Sequence, residues 1–254
     1  MAAELVRYAV SGAIAEITLD RAPVNALSMA LIDALLAALA RAREDANVRA
    51  VIVCSAQKVF CAGLDLDIIR GKRAIETKGF LEKLYFALND MQYRMGKPTI
   101  AAVDGAVRAG GIGLMAACDL VVVHESTTFA LTEVRIGVAA AIISVPILRR
   151  VPAGKIAAAM LTGERFDAAE ARSIGLVTHV TPDVAATVAE LCAGIRAGAP
   201  RAVTETKRML RVVPTLPRDE AFESMRELSD ELFAGPDAAK GMAAFAEKRT
   251  AVWD

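Results

Sequence analysis

Three short runs of apolar, largely β-branched residues limit most strongly what this chain can become: VRAVIVCS at 48–55, TIAAV at 99–103 and LVVVHE at 120–125. Runs with so little polar interruption suit strands that are covered on both faces, as parallel strands are. FLEKLYFALNDMQYRM, at 80–95, and a shorter apolar helical run after residue 110 stand between them. Strands that alternate with helices imply parallel pairing through crossovers, and hence an α/β architecture. Upstream, AIAEITL alternates as a strand ending near Asp20, and residues 25–45 place Leu31, Leu35 and Leu39 on one helical stripe. After GLVTHVTP the character changes. From about Val184 onward the periodicity is helical and nothing reads as a strand. The polar stretch GKRAIETKG, at 71–79, is bounded by glycines and reads as a mobile loop or frayed helix.

Composition narrows the functions open to such a fold. The chain has 254 residues, 55% of them hydrophobic, which suffices for one large domain or one domain with an appendage. Thirty basic residues balance thirty acidic ones, so no bulk field draws in nucleic acid or an anionic membrane. Cys54, Cys61, Cys118 and Cys192 form no C-x-x-C pair, and the opening MAAELVRYAV lacks signal-peptide regions, so a cytoplasmic setting is expected. Residues 136–148, the longest apolar stretch, fall short of the ~20 needed to span a bilayer. No membrane or nucleic-acid partner is expected. His124 and His179 lack a cluster of Cys or carboxylate at ligand spacing, so no metal is expected either.

Glycines carry the chemistry. VRAGGIGLMAACDL, at 107–120, contains G-x-G-x-x-A, with Glu133 about twenty residues on, and formally matches a dinucleotide fingerprint. The context disfavours that reading. A Rossmann loop follows its strand directly and opens a full helix, whereas here Ala106 to Ala109 intervene and Val121 to Val123 already read as a strand. Glycines serving only tight helix-to-strand packing are the plainer alternative. A second site, VFCAGLDL at 59–66, also puts a small-residue turn after a buried strand. Two such loops can aim two backbone N–H groups at one point, the arrangement that stabilises charge developing on a carbonyl oxygen.

VFCAGLDL, KPTIAAVDGAVRAGGIGLMAACDL, FALTEVRIGV, LTGERFDAAEARSIGLV and GMAAFAEKR occur in this order across residues 59–249. Together they resemble the enoyl-CoA hydratase/isomerase (crotonase) family over essentially the whole chain. The resemblance implies a superhelix of ββα turns in residues 1–195. Residues 196–254 would form a helical region that builds trimers or hexamers and part of the coenzyme A site.

The resemblance also assigns residues. It makes the N–H groups of Leu64 and Gly110 the donors to the thioester oxygen of an acyl-CoA. Ala62, Gly63, Gly111 and Gly113 are the small residues that let the substrate approach. Adenine would meet main chain at Asp65, Leu66 and APVNA, including Val24 and Ala26. Phe245 and Lys248 would reach the nucleotide, in many members from a neighbouring subunit, though Lys248 and Arg249 equally suit a solvated helix end. Coenzyme A would arrive as part of the substrate, with no separate cofactor. Asp67 stands where many relatives have a lysine, which removes one expected phosphate contact. Apolar VAAAIIS, at 138–144, would line the acyl pocket through Ala141 and Ile142. Arg108 suits a carboxylated substrate or, more simply, a solvated or paired cation.

Typical hydratases of the family carry two glutamates. Here the first falls on Gly113 and only the second, Glu133, is present. Its neighbours Phe129, Ala130, Leu131 and Val134 are apolar, and burial among them would raise a carboxyl pKa toward the range useful for proton transfer. A surface glutamate paired with Arg135 is the alternative. One glutamate suits a hydratase that activates water alone, the favoured reading, or a Δ3,Δ2-enoyl-CoA isomerase. A binding protein, including an RNA binder, is the rival from another class, and the neutral net charge speaks against it.

Overall fold

The computed structural model describes residues 4–65 and 74–253. Leu66 and Asp67, together with part of the 71–79 stretch, lie outside them. Ten strands and ten α-helices follow one another in the described residues. The strands are β1 (Val6–Ser11), β2 (Ile14–Leu19), β3 (Ala50–Ser55), β4 (Val59–Cys61), β5 (Thr99–Val103), β6 (Ala106–Arg108), β7 (Leu120–His124), β8 (Thr128–Ala130), β9 (Arg165–Asp167) and β10 (His179–Thr181). The helices are α1 (Met29–Glu44), α2 (Ala74–Asn89), α3 (Gly110–Ala116), α4 (Ala141–Leu148), α5 (Ala153–Thr162), α6 (Ala168–Ser173), α7 (Val184–Ala197), α8 (Pro200–Val212), α9 (Arg218–Phe233) and α10 (Pro236–Ala246).

Two sheets result. The larger has the order β1-β2-β3-β5-β7-β10 and the smaller β4-β6-β8-β9. Apart from the β1–β2 hairpin and the β8–β9 pair, every pairing is parallel. Each ββα turn gives one strand to each sheet: β3 and β4 precede α2, β5 and β6 precede α3, and β7 and β8 precede α4. The path is therefore a superhelix, and the loops after β4 and β6 fall side by side because their strands are neighbours.

The continuous apolar runs follow from burial on both faces. Val51 and Val53 of β3 point into the main core with Leu31, Leu35 and Leu39 of α1, while Ile52 packs with Ile100, Val122, Val188 and Cys192 beneath α7. Ser28 caps α1, its hydroxyl accepting from the N–H of Leu31. Strands β4, β6, β8 and β9 have only three residues each, too few to show a period. One consequence completes the sequence reading: the intervening residues Ala106–Arg108 form a strand that leads almost directly into α3.

After β10 only helices and one 3-10 turn follow. Helix α8 is anchored by Lys207, which is 4% exposed. Its ammonium lies 2.7 Å from Asp119 Oδ2 and donates to the carbonyls of Lys97 and Met91 at 2.9 and 3.2 Å. Asp119 in turn accepts from the N–H and hydroxyl of Thr99. Lys207→Ala strands that carboxylate and is expected to destabilise the protein by about 3–5 kcal/mol, read as a shifted midpoint in chemical denaturation.

Trp253 closes the C-terminal end. Its indole N–H donates to Ala197 O at 2.8 Å, and the Lys240 ammonium lies 5.9 Å from its ring centroid. Among the described residues no helix is long and apolar enough to cross a membrane.

Candidate active site

Leu64, Gly110 and Glu133, spread over 70 residues of the chain, border one cavity of about 580 Å³. Its walls come from the loops after β4 and β6, the turn after β8, helix α2 and the start of α4.

The first loop is held in place by Asn25, which is fully buried and left-handed at φ 51°. Its amide donates to Ser55 Oγ and to the carbonyls of Val59 and Phe60, and its carbonyl accepts from Arg21 N–H. Thus fixed, residues 24–27 pair with the loop. Ala62 N–H donates to Val24 O, Leu27 N–H to Gly63 O at 2.7 Å, and Asp65 N–H to Leu27 O at 3.1 Å. This bridge engages the peptide groups on either side of Leu64 and turns the Leu64 N–H away from Leu27. Among the described residues that N–H has no hydrogen-bond partner.

The second loop presses against the first. A methyl group on Gly63, whose φ is +86°, would lie 2.6 Å from Ala109 Cβ and 3.1 Å from Gly110 N. Ala109 itself holds φ 47°, ψ −121°, an unfavourable region for alanine that costs on the order of 1–3 kcal/mol. Its N–H is tied to Ala130 O at 3.0 Å, and the next N–H, that of Gly110, has no partner among the described residues. Two unpaired peptide donors therefore sit in adjacent loops at one cavity wall.

Glu133 opens the 3-10 turn Glu133–Ile136 after β8. It is half-buried, and its Oε2 is buried without a hydrogen-bond partner. Burial raises its carboxyl pKa above the ordinary value, opposed by a hydrogen bond from its own backbone. The neighbouring cation does not pair with it: Arg135 Nε donates to Thr162 O at 2.8 Å. That excludes the surface ion-pair reading.

The remaining expected site residues divide. Ala26, Ala62, Asp65, Ala141 and Ile142 border the cavity, and Arg21 holds Asp65 at 2.6 Å while also donating to Ala26 O. Val24 serves through its carbonyl, behind the wall. Gly63 does not border the cavity but packs against Ala109, and Gly111 and Gly113 do not border it either, which corrects the placement of all three against substrate. An added Cβ on Gly111 would meet Cys61 Cβ and O at 2.7 Å, and one on Gly113 would meet Ile143 Cγ2 at 2.3 Å and Cβ at 2.6 Å. Tight packing thus accounts for these two glycines, and Ile143 fills the space in which an acid at 113 would start. Gly113→Ala is expected to cost about 1–3 kcal/mol, and Ile143→Gly in the same chain to recover part of it; a thermal-denaturation double-mutant cycle reads the coupling.

Phe245 is 86% exposed and Lys248 is exposed with φ 55°, and neither borders the cavity of its own chain. Arg108 does not border the cavity and bonds the carbonyls of Val107 and Thr128 and the Thr128 hydroxyl, a structural role. His124 meets Ser126 and His179 meets Thr178, and no group of metal-ligating side chains exists among the described residues. Cys61, beneath the loops, has its thiol pushed up to about 12 by burial and is no nucleophile. Asn25, Ala109, Ile143 and Phe80 of α2 were not singled out by sequence. Asn25 was legible only as part of APVNA, and an alanine at positive φ carries no mark at all.

A ββα superhelix that brings two unpaired peptide donors and one half-buried carboxylate into a single cavity has the organisation of the crotonase fold. The enoyl-CoA hydratase/isomerase family model matches residues 9–254. An enoyl-CoA hydratase of Mycobacterium tuberculosis is 33% identical over 244 residues, 92% of this chain and 90% of that one. The carnitinyl-CoA dehydratase of Salmonella typhi is 31% identical over 253 residues, 96% of this chain and 95% of that one. The crystal structure of an enoyl-CoA hydratase from Bacillus anthracis superposes with a TM-score of 0.93 at 26% identity, covering 98% of both chains. The chain belongs to the enoyl-CoA hydratase/isomerase family.

Proposed function

We propose that this protein is an enoyl-CoA hydratase that works with one carboxylate. The observation that carries the reading is the half-buried Glu133, whose Oε2 is unpartnered, on the same cavity as the free N–H groups of Leu64 and Gly110. The thioester oxygen accepts both N–H bonds. Glu133, ionised, takes a proton from water as the water oxygen bonds to C3. The C2=C3 electron pair moves onto the thioester oxygen as an enolate, which the two N–H groups stabilise. Collapse of the enolate then takes the proton back from Glu133 to C2. Water is the sole co-reactant, so the cycle balances with coenzyme A carried in by the substrate.

Isomerisation is the second reading, favoured by one observation: Ile143 fills the space in which the missing first glutamate would start at position 113. The same carboxylate would then carry a proton between C4 and C2 of one enolate. Hydration is preferred because the relatives at 33% and 31% identity are named for adding or removing water. A homo-oligomer, trimeric or hexameric, completes the reading. It covers Phe222 and Phe233, each 73% exposed, and brings Phe245 and Lys248 to the nucleotide of a neighbouring copy.

Separate incubations with a trans-2-enoyl-CoA and a trans-3-enoyl-CoA, resolved by mass, test the reaction. Gain of one water from the 2-enoyl thioester is expected. Double-bond migration in the 3-enoyl thioester without any hydration would replace the hydratase by the isomerase.

A further inference from the structure

We propose that Arg21 is a positioning residue for the Leu64 donor: its guanidinium clamps the chain on both sides of the Leu27–Leu64 bridge and so fixes how far the Leu64 N–H projects toward the thioester oxygen. The inference rests on the acyl-CoA reading above and extends it to a side chain that does not border the cavity. One guanidinium nitrogen lies 2.6 Å from Asp65 Oδ2, and the other donates to Ala26 O at 2.8 Å. Ala26 precedes Leu27 and Asp65 follows Leu64, so the two contacts fall on opposite sides of the bridge. The rigid fork of a guanidinium sets the spacing between them, which the single ammonium of a lysine cannot do.

A clamp transmits position only if its own base is fixed. Arg21 N–H donates to Asn25 Oδ1 at 2.7 Å, and Asn25 N–H donates back to Arg21 O at 2.8 Å. Asn25 is fully buried, and its amide donates to Phe60 O at 3.0 Å in β4, the strand that enters the first loop. The circuit therefore runs from β4 through Asn25 and Arg21 to Asp65 and refers both ends of the loop to one polar network. The Arg21 and Asp65 side chains are 29% and 17% exposed, so most of the pair is shielded from water, where a charge-assisted bond is strongest. Negative charge on the thioester oxygen grows as the enolate forms, so a displaced donor should cost mainly kcat.

Arg21→Lys keeps the charge and loses the fork. The test compares this variant with the unaltered protein by turnover of a trans-2-enoyl-CoA and by the infrared carbonyl band of a bound saturated acyl-CoA labelled with carbon-13 at C1. We expect kcat to fall about tenfold or more, the band to lose much of its shift to lower frequency, and affinity for the saturated thioester to stay within about threefold. Combining Arg21→Lys with Asp65→Asn should lose little more than either alone. Lys207→Ala, which loosens the fold away from the cavity, should leave the band where the unaltered protein has it, so lost stability does not imitate a displaced donor. Should Arg21→Lys fail to fold by circular dichroism, Asp65→Asn keeps the side-chain shape, weakens the same pair and gives the same reading. An unmoved band with unchanged kcat in a folded variant overturns the proposal. A loss confined to affinity overturns it too and gives the pair to nucleotide binding. A band that is unshifted even in the unaltered protein is a different result: it overturns the assignment of Leu64 and Gly110 as donors, and the role of Arg21 with it.

Discussion

Glu133→Gln should lower turnover of an enoyl-CoA by roughly 10²–10⁴-fold, the usual weight of a positioned acid/base, while thioester affinity changes little. Gln keeps the shape of the side chain and cannot move a proton, so the loss belongs in kcat. The pH profile provides a second readout. Burial raises the Glu133 pKa above the ordinary carboxylate range, and hydration needs its ionised form. Activity should therefore fall as pH drops through that raised value, and the limb should be missing from the residual activity of the variant.

Stability should move the other way. A carboxyl whose folded pKa lies above its unfolded pKa adds stability that is fully present below the unfolded value and is lost as pH rises through the folded one. At neutral pH ionised Glu133 is thus a burden on the fold, with Oε2 unpartnered. Glu133→Gln is expected to melt at or above the temperature of the unaltered protein at pH 7, and the difference should vanish in acid. A variant that melts well below it would mean that the carboxylate is structural.

Gly63→Ala is the second large expected effect. The φ of +86° is poor for any Cβ, and the added methyl group would sit 3.1 Å from Gly110 N and against Ala109 Cβ. Relief requires the two loops to part, which moves one donor away from the other. Loss of one such donor typically costs about 10²–10³ in kcat. Loss of both glutamate and donor geometry in one chain should fall short of the product of the single effects, because both act on one enolate. Circular dichroism and gel filtration of Gly63→Ala separate a displaced donor from a misfolded chain.

How far the sequence announced this arrangement depends on the length of each signal. The strands at 50–55, 99–103 and 120–124 and the stripe of α1 are long enough for burial to impose a pattern, and each was legible. The three-residue strands of the smaller sheet were not, so residues 106–108 carried no strand reading although they form β6. Glycines mark close approach without naming the neighbour. Those at 63 and 110 meet each other across the loops, whereas those at 111 and 113 meet Cys61 and Ile143. That distinction is tertiary, as is the burial that leaves one oxygen of Glu133 unpartnered. A second void, beyond Ile142, has no signature of its own, since its walls come from α2, the turn after it and α4, which are about fifty residues apart.

The most direct test of the central claim is the carbonyl stretch of a bound acyl-CoA labelled with carbon-13 at C1, measured by isotope-edited infrared spectroscopy. Two N–H groups on the thioester oxygen should move that band to lower frequency in the complex, and Gly63→Ala should reverse much of the movement. A bound thioester whose carbonyl band stays at its position in water would contradict the assignment of Leu64 and Gly110 as the donors.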